Sequence, residues 1–252
     1  MAAYENFSQV YDELMDDVPY DLWCSFVKQV LASFGIDGGL MADLGCGTGK
    51  MTERMAAAGY DMIGIDSSVD MLQIACDRSR SMSEPPLYLL QDMREFELYG
   101  TVRAVISVCD SVNYITSPGD LVRVFRLVNN YLDPGGIFVF DFNTEHKYRD
   151  MIGEDIIAED REEVSFIWYN EYDENSRLNL IDLSIFVNEE DDLFRKYREQ
   201  HVQRGYRLEE MRSLVEESGL VFLAAYDDYT MTPASEDSGR VVFVVREKGK
   251  GE

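Results

Sequence analysis

The sequence predicts an α/β fold, a doubly wound and mostly parallel sheet of seven strands with a small antiparallel β subdomain inserted near its end. Three observations support this prediction. Apolar runs of strand length alternate with helical patterns along most of the chain, which is typical of a parallel sheet. A glycine-rich loop follows the first apolar run directly, as in nucleotide-binding α/β proteins. Between residues 151 and 206 the apolar pattern changes to a period of two.

The core elements follow in order along the chain. A first helix over residues 19–34 begins at Pro19 and stops before Gly35. The predicted strands are residues 40–44, 60–65, 87–90, 102–108, 137–141, 220–226 and 240–246. The predicted helices between them are residues 50–58, 69–80, 118–131 and 208–218. The last strand is joined to its neighbour by a loop rather than a helix, so we expect it to run antiparallel.

Residues 151–206 form the predicted insertion, which separates a core made of residues 1–150 and 207–252. Val164, Phe166 and Trp168 occupy alternate positions, and the same period recurs at Ile181, Leu183, Ile185 and Val187, with a third strand expected over residues 193–203. Such a period indicates antiparallel strands with one covered face, and turns are expected at 173–175 and 189–192. We expect this sheet to stand over the carboxyl ends of the parallel strands. A dimerisation arm or plain surface hairpins are the alternatives.

The loop after the first strand reads Asp43-Leu44-Gly45-Cys46-Gly47-Thr48-Gly49. Alternating glycines let the backbone turn sharply and approach a ligand closely. Lys50 stands where the dinucleotide fingerprint needs its third glycine, and no Gly-Lys-Ser/Thr follows for a phosphate loop. The stretch matches D-x-G-x-G-x-G and resembles motif I of the class I S-adenosylmethionine-dependent methyltransferases.

The resemblance implies a Rossmann-like core that binds S-adenosyl-L-methionine. Asp66 ends the second predicted strand and is placed to accept hydrogen bonds from ribose hydroxyls. The position of Asp92 contacts the adenine amino group in the family, and the residue after it packs on the ring. The expected cofactor-binding residues are Asp43, Gly45, Cys46, Gly47, Thr48, Gly49, Asp66, Ser67, Met71, Asp92, Met93, Cys109 and Tyr11.

The amino-terminal segment, Tyr4-x-x-Phe7-x-x-x-Tyr11-Asp12-x-Leu14-Met15, is similar to the opening of a bacterial subgroup of small-molecule-type methyltransferases. In that subgroup the segment folds across the cofactor. An ordinary amphipathic helix docked on the core would show the same spacing, and the sequence leaves both interpretations open.

The loop after the fourth strand, residues 109–114, faces the methyl group in the wider class. It lacks the Asn/Asp-Pro-Pro-Tyr/Phe signature of adenine- and protein-amide-type enzymes, which removes that acceptor class. Tyr114 of this loop is one catalytic candidate. His201 is the other, because histidine has an unperturbed pKa suited to a base near neutrality, and a structural role is the alternative for His201. The expected acceptor-binding residues are Tyr114, Phe142, Asn143, Trp168, His201 and Arg204.

Composition excludes several partners. The 252 residues include 23 Lys and Arg against 48 Asp and Glu, a net charge of -25 that lacks the basic footprint of nucleic-acid binding. No apolar run is long enough to span a membrane, and no secretory signal is evident. Four cysteines without metal spacing suggest free thiols in the cytoplasm. We expect no bound metal, and a monomer or homodimer.

Together these observations predict a methyltransferase that moves the methyl group of S-adenosylmethionine to a small-molecule acceptor by in-line displacement. An NAD(P)-dependent oxidoreductase is one alternative, which Lys50 and the lack of a Tyr-x-x-x-Lys pair disfavour. A regulatory protein that binds S-adenosylmethionine without catalysis is the other.

Overall fold

The computed structural model describes residues 8–189 and 193–250, and within them the core is a seven-stranded sheet. Its strands are β1 (Gly39–Leu44), β2 (Tyr60–Asp66), β3 (Leu87–Leu90), β4 (Val102–Ser107), β5 (Leu132–Asn143), β10 (Val221–Asp227) and β11 (Arg240–Arg246). They lie in the order β10-β11-β5-β4-β1-β2-β3. Strands β1 to β5 are parallel, and β11 runs antiparallel to both of its neighbours. The predicted fold class is confirmed, including the direction of the last strand.

Helices cover both faces of this sheet. They are α2 (Tyr20–Ser33), α3 (Lys50–Ala57), α4 (Val69–Ser79), α5 (Pro118–Tyr131) and α6 (Leu208–Glu217), and a shorter helix, α1 (Ser8–Leu14), precedes them. Successive side chains of a strand point to opposite faces. Phe138, Phe140 and Phe142 therefore pack with α5 and α6, whereas Ile137 and Val139 pack with α2 and α3. Strand β5 is buried on both sides, which explains its continuous apolar sequence.

The strand order reverses between β1 and β4. Strands β2 and β3 lie on one side of β1, whereas β4 and β5 lie on its other side. Ligands bind at such a switch point, outside the carboxyl ends of the strands. The Ser107 hydroxyl donates to the Leu44 carbonyl at 2.8 Å, and the Ser111 hydroxyl donates to that of Gly45 at 3.2 Å. The loops after β1 and β4 are thus held against each other.

The second sheet contains β6 (Ile156–Glu159), β7 (Val164–Asp173), β8 (Leu178–Asn188) and β9 (Phe194–Arg204), paired antiparallel in that order. Strand β6 was not predicted, since its short, mostly exposed sequence shows no alternation. Ile181, Leu183 and Ile185 form the covered face of the sheet. Tyr11 and Leu14 of α1 pack against this face, so the insertion and the amino-terminal helix share one apolar cluster.

Several bounds differ from the expectations. Strand β5 begins at Leu132 rather than at residue 137, because Leu132 already pairs with Val102. Tyr206, at the end of the predicted insertion, packs in the core. Tyr4, Phe7 and most of the expected turn at 189–192 lie outside the described residues. All four cysteines are free thiols, as predicted. In the part of the chain that the structure describes, no helix is both long and apolar enough to cross a membrane.

Candidate functional site

A cavity of about 550 Å³ lies at the carboxyl ends of β1 to β4. Most of the residues expected to bind the cofactor line it, namely Tyr11, Gly45, Cys46, Gly47, Thr48, Asp66, Ser67, Met71, Asp92, Met93 and Cys109. Asp43 and Gly49 are not part of the lining. The lining also contains residues that were not among the expected cofactor-binding residues, namely Tyr20, Lys50, Ser68, Arg94 and Ser111.

Gly45 and Gly47 shape the floor of the cavity in different ways. Both have positive φ, 72° and 53°, which side chains rarely adopt. A Cβ on Gly45 would lie 2.7 Å from the side chain of Ser111, so the loop after β4 requires the glycine. A Cβ on Gly47 would meet no protein atom within 4 Å. Because Gly47 lines the cavity, this open direction leaves its backbone accessible to a ligand.

Asp66 closes the glycine loop from the end of β2. Its carboxylate accepts the backbone N–H of Gly47 at 2.9 Å and that of Ser68 at 2.8 Å. Burial raises the pKa of Asp66, and the hydrogen bonds from these N–H groups oppose that shift. Ser68 in turn caps α4 by accepting the N–H of Met71 at 3.3 Å. The loop after β1 and the start of α4 are therefore fixed by one carboxylate at the cavity.

Asp43 lies beneath the glycine loop and is completely buried. The Thr52 hydroxyl donates to its Oδ2 at 2.6 Å, whereas its Oδ1 has no hydrogen-bond partner. Burial, with a smaller contribution from the charge of Asp66, raises the pKa of Asp43 to about 7. The unpartnered Oδ1 of Asp43 and the accessible backbone of Gly47 belong to the same strand end. This combination fits a cofactor that presents a positively charged group to the glycine loop.

Asp92 and Arg94 form the far rim of the cavity. Arg94 donates to Asp92 Oδ1 from its backbone N–H at 2.8 Å and from Nε at 2.9 Å, and a second guanidinium nitrogen contacts Oδ2. The hydrogen bonds from Arg94 hold the pKa of Asp92 below its usual value. Asp92 is therefore an ionised acceptor at the place where the resemblance implies an adenine contact.

Asp12 attaches helix α1 to the glycine loop and to helices α3 and α4. This role of Asp12 was not predicted from the sequence. Its carboxylate accepts from the Thr48 hydroxyl at 2.8 Å and from Arg78 at 2.7 Å, and it pairs with Lys50 at 3.4 Å. Tyr11, the preceding residue, lines the cavity. Helix α1 thus covers the cavity in addition to docking on the inserted sheet.

Tyr114, which lines the cavity, contacts His201, which is not itself part of the lining. Tyr114, in the 3₁₀ turn Ser111–Tyr114, lines the cavity, and its hydroxyl lies 3.2 Å from Nδ1 of His201 on β9. Burial lowers the pKa of His201, which keeps the imidazole neutral and able to accept a proton. The structure therefore brings together the two side chains proposed for catalysis.

The other expected acceptor residues lie away from the cavity lining. Phe142 is fully buried in the core cluster. Trp168 packs beside the apolar cluster of the inserted sheet. Arg204 bonds the Ser176 carbonyl at 3.0 Å and Glu210 at 3.2 Å. The side chain of Asn143 is buried and donates a hydrogen bond to the Tyr148 hydroxyl at 3.2 Å.

A buried network of charged and polar side chains lies behind Cys109, and the sequence analysis did not find it. Asp110 accepts from Gln203 Nε2 at 2.7 Å and from Arg240 Nη2 at 2.9 Å. The other end of the Arg240 guanidinium pairs with Asp141. Lys147, from the π-helical turn Lys147–Ile152, donates to Asn143 at 2.9 Å. Burial lowers the pKa of Lys147.

Comparison with known proteins agrees with this geometry. Residues 41–136 match the family model described as "Methyltransferase domain". The chain is 34% identical over 242 residues, 95% of each protein, to YqeM of Bacillus subtilis, whose name places it among the methyltransferases. A 101-residue part, 40% of this chain and 39% of the relative, is 32% identical to the dTDP-4-amino-2,3,4,6-tetradeoxy-D-glucose N,N-dimethyltransferase of Saccharopolyspora spinosa.

Among solved structures, an S-adenosylmethionine-dependent methyltransferase from Clostridium acetobutylicum superposes with a TM-score of 0.89. The two are 28% identical, and the match covers 98% of this chain and 99% of the other. The likeness therefore includes the inserted sheet as well as the parallel core.

Proposed function

The chain belongs to the class I S-adenosylmethionine-dependent methyltransferases, and we propose that it transfers the methyl group to a small-molecule acceptor by in-line displacement. When bound, S-adenosylmethionine supplies a methyl group on a positively charged sulfur, and the sulfur is the leaving group when a nucleophile takes the methyl group. The observation that most supports the proposal is one continuous cavity. It runs from the glycine loop and Asp66 to Tyr114, whose hydroxyl is paired with the neutral His201.

In this proposal the cofactor end is held mainly by backbone groups and carboxylates. Gly47 offers close backbone approach, Asp66 accepts from ribose hydroxyls, and Asp92 accepts from the adenine amino group. Asp43 lies beneath the loop, where its unpartnered oxygen favours a positive group above it. Such a site mostly orients two reactants and excludes water, which is where much of the rate advantage of methyl transfer arises.

At the acceptor end, Tyr114 and His201 would manage the proton of a nucleophile that arrives protonated. With Nδ1 of His201 as the hydrogen-bond acceptor, the Tyr114 hydroxyl donates to it. A nucleophile that gives its proton to the Tyr114 oxygen would move the phenolic proton to Nδ1. The lowered pKa of His201 means that the neutral form, which this step needs, dominates at neutral pH.

A small amine is the acceptor class that we favour. The N,N-dimethyltransferase relative acts on the amino group of a sugar nucleotide. The net charge of -25 disfavours a nucleic acid as acceptor, and Arg195 is paired with Glu189 at 2.7 Å. Lys196 lies over the Phe186 ring at 5.1 Å, on the face of β9 opposite to Arg195. The two basic residues therefore do not form a continuous basic surface that a nucleic acid could contact.

The assay that tests the proposal supplies radiolabelled S-adenosylmethionine with a panel of amines, including a dTDP-linked amino sugar, and of phenols and carboxylates. Bulk tRNA and duplex DNA serve as comparison substrates. We expect label in a small amine and none above background in either nucleic acid at about 0.15 M salt, where charge steering is screened. Label in bulk tRNA would contradict the proposal. Binding of S-adenosylmethionine without turnover on any acceptor would favour the regulatory alternative.

We also propose that the inserted sheet forms the acceptor side of the site. Replacing residues 155–204 by a short Gly/Ser bridge leaves Tyr206 in the core. The shortened protein should bind S-adenosylmethionine and lose methyl transfer. If the insertion is instead a dimerisation arm, light scattering will show a halved mass with transfer retained.

A further inference from the structure

Two consecutive residues at the cavity wall have a left-handed backbone although neither is glycine. Cys109 has a φ of 62° and Asp110 a φ of 51°. Side chains make this conformation unfavourable, and it persists at functional sites only where the surroundings impose it. Cys109 lines the cavity and Asp110 follows it directly without being part of the lining, so the conformation of the pair sets how Cys109 faces the cavity.

Three groups hold Asp110 in place. Its backbone N–H donates to Asp141 at 3.0 Å, and its carboxylate accepts from Arg240 at 2.9 Å and from Gln203 at 2.7 Å. Arg240 bridges Asp110 and Asp141 with its planar guanidinium, which also lies 5.2 Å from the ring of Trp23. Only 16% of the Arg240 side chain is exposed, so its charge is directed at the two carboxylates.

The same network reaches the inserted sheet. Gln203 lies on β9 and accepts from the buried Tyr148 hydroxyl at 2.8 Å while it donates to Asp110. The conformation of the wall therefore depends on a strand of the insertion as well as on β11 of the core. None of these contacts belongs to the cofactor loop after β1.

We propose that Arg240 and Gln203 are positioning residues for methyl transfer, which hold Cys109 and Asp110 in the left-handed conformation that forms the wall facing the methyl group. The direction in which the wall faces rests on the proposed function. The clamp itself is a property of the protein without any ligand, so the two can be tested separately.

Alkylation of cysteine by N-ethylmaleimide, followed by peptide mass spectrometry, measures the clamp. Burial, with the neighbouring Asp110 carboxylate, raises the pKa of the Cys109 thiol to about 12, so it should react slowly at about pH 8. The variants are Gln203→Met, which keeps side-chain bulk, and Arg240→Lys, which cannot bridge two carboxylates with a planar fork. Gln200→Met, at an exposed position of the same strand, is the matched control.

We expect Cys109 to react about tenfold faster in both variants and at the wild-type rate in the control, as loss of one charged hydrogen bond implies. Exposed Cys76 reports the reagent, and buried Cys24 on α2 reports global opening. Unchanged Cys109 reactivity in both variants would overturn the proposal. Equal acceleration of Cys24 and Cys109 would also overturn it, because the network would then serve the fold as a whole.

Calorimetric titration with S-adenosylmethionine and with S-adenosylhomocysteine tests where the wall faces. If the wall contacts the methyl group, loosening it should weaken the binding of S-adenosylmethionine more than that of S-adenosylhomocysteine, because only the first ligand carries the methyl group. We expect the ratio of the two dissociation constants to change by about threefold to tenfold. A purely structural role would weaken both ligands equally. Faster labelling with an unchanged preference would overturn the placement of the wall, whereas failure of the proposed function would appear as no binding to the wild-type protein.

Discussion

The two ends of the cavity are held together by different kinds of contact. At the proposed cofactor end the contacts of Asp66 and Asp92 join residues near in sequence, since Gly47 and Asp66 are 19 positions apart and Asp92 and Arg94 only 2. At the acceptor end they are distant. Tyr114 and His201 are separated by 87 positions, and Asp110 and Arg240 by 130. The first end depends on the backbone of local turns, the second on buried side chains from several elements.

This difference implies that the two functions of the site can be separated. Substitutions at the cofactor end should change the affinity for S-adenosylmethionine directly. Substitutions at the acceptor end should leave that affinity nearly unchanged and lower the rate of transfer. The predictions below, ordered from the largest expected effect to the smallest, test that separation.

The largest effect is expected for Gly47→Val. A Cβ at this position meets no protein atom within 4 Å, and because Gly47 lines the cavity, the valine side chain should occupy space that the cofactor needs. We expect the dissociation constant for S-adenosylmethionine to rise about 100-fold, equivalent to about 3 kcal/mol of steric cost. Calorimetric titration measures it.

Gly35→Val is the matched control for that substitution. Gly35 has a φ of 72° and open space around its absent Cβ, but it is not part of the cavity lining. Both variants should lose similar stability to urea because both strain the backbone. Equal affinity for S-adenosylmethionine in the two variants would contradict the assignment of the glycine loop.

Asp66→Ala should weaken S-adenosylmethionine binding by between about 10- and 150-fold, through loss of one charged acceptor worth about 1.5–3 kcal/mol. Asp61→Ala, on the exposed side of the same strand, should bind as the wild type does. Titration of both proteins decides the matter. Wild-type affinity in Asp66→Ala would remove that residue from the cofactor site.

Tyr114→Phe tests the acceptor end. It removes a hydroxyl that bonds His201 but keeps the ring at the cavity wall. The turnover number on the accepted small molecule should fall about tenfold, while the affinity for S-adenosylmethionine changes less than about twofold. Tyr99→Phe, at a fully exposed position, is the control. A fall in cofactor affinity as large as the fall in turnover would contradict the separation of the two ends.

The smallest effect concerns the pH dependence of stability. The folded protein holds a proton on Asp43 up to about pH 7, whereas the unfolded chain loses it near the ordinary value of 3.8. Stability from this group is therefore complete below the unfolded pKa of 3.8, is lost as the pH rises from there to about 7, and changes no further above that pH. Between about pH 6 and pH 8 the free energy of unfolding should fall by about 1 kcal/mol because of Asp43.

Urea unfolding of the wild type and of Asp43→Asn at both pH values measures this difference. The variant lacks the titrating group, so its free energy of unfolding should fall less over the same range. Parallel pH dependence in the two proteins would show that Asp43 is ionised throughout. The same variant should bind S-adenosylmethionine more weakly if its carboxylate stabilises the positive end of the cofactor.

Local patterns in the sequence were sufficient for the parallel core and the cavity. The glycine loop and Asp66 sit at strand ends that apolar runs mark clearly. Phe142 shows the limit of such patterns. It also ends a strand, but that strand is buried on both faces, so its sequence gives no sign of which side chains reach the cavity.

The acceptor end required contacts that no local pattern encodes. Arg240 opens an ordinary apolar strand, and nothing near it in sequence indicates Asp110 as its partner. One signal was overlooked: His201 and Arg204 are three positions apart on β9, so a period of two sends them to opposite faces of the sheet. This explains why His201 reaches Tyr114 and Arg204 pairs with Glu210 instead.

Hydrogen exchange of the full chain, with and without S-adenosylmethionine, shows whether this cavity is the cofactor site. We expect slower exchange in the segments that line it, residues 45–51, 65–71, 90–94 and 108–115, and unchanged exchange in β8 and β10. Protection confined to other segments, or none at a saturating concentration, would contradict it.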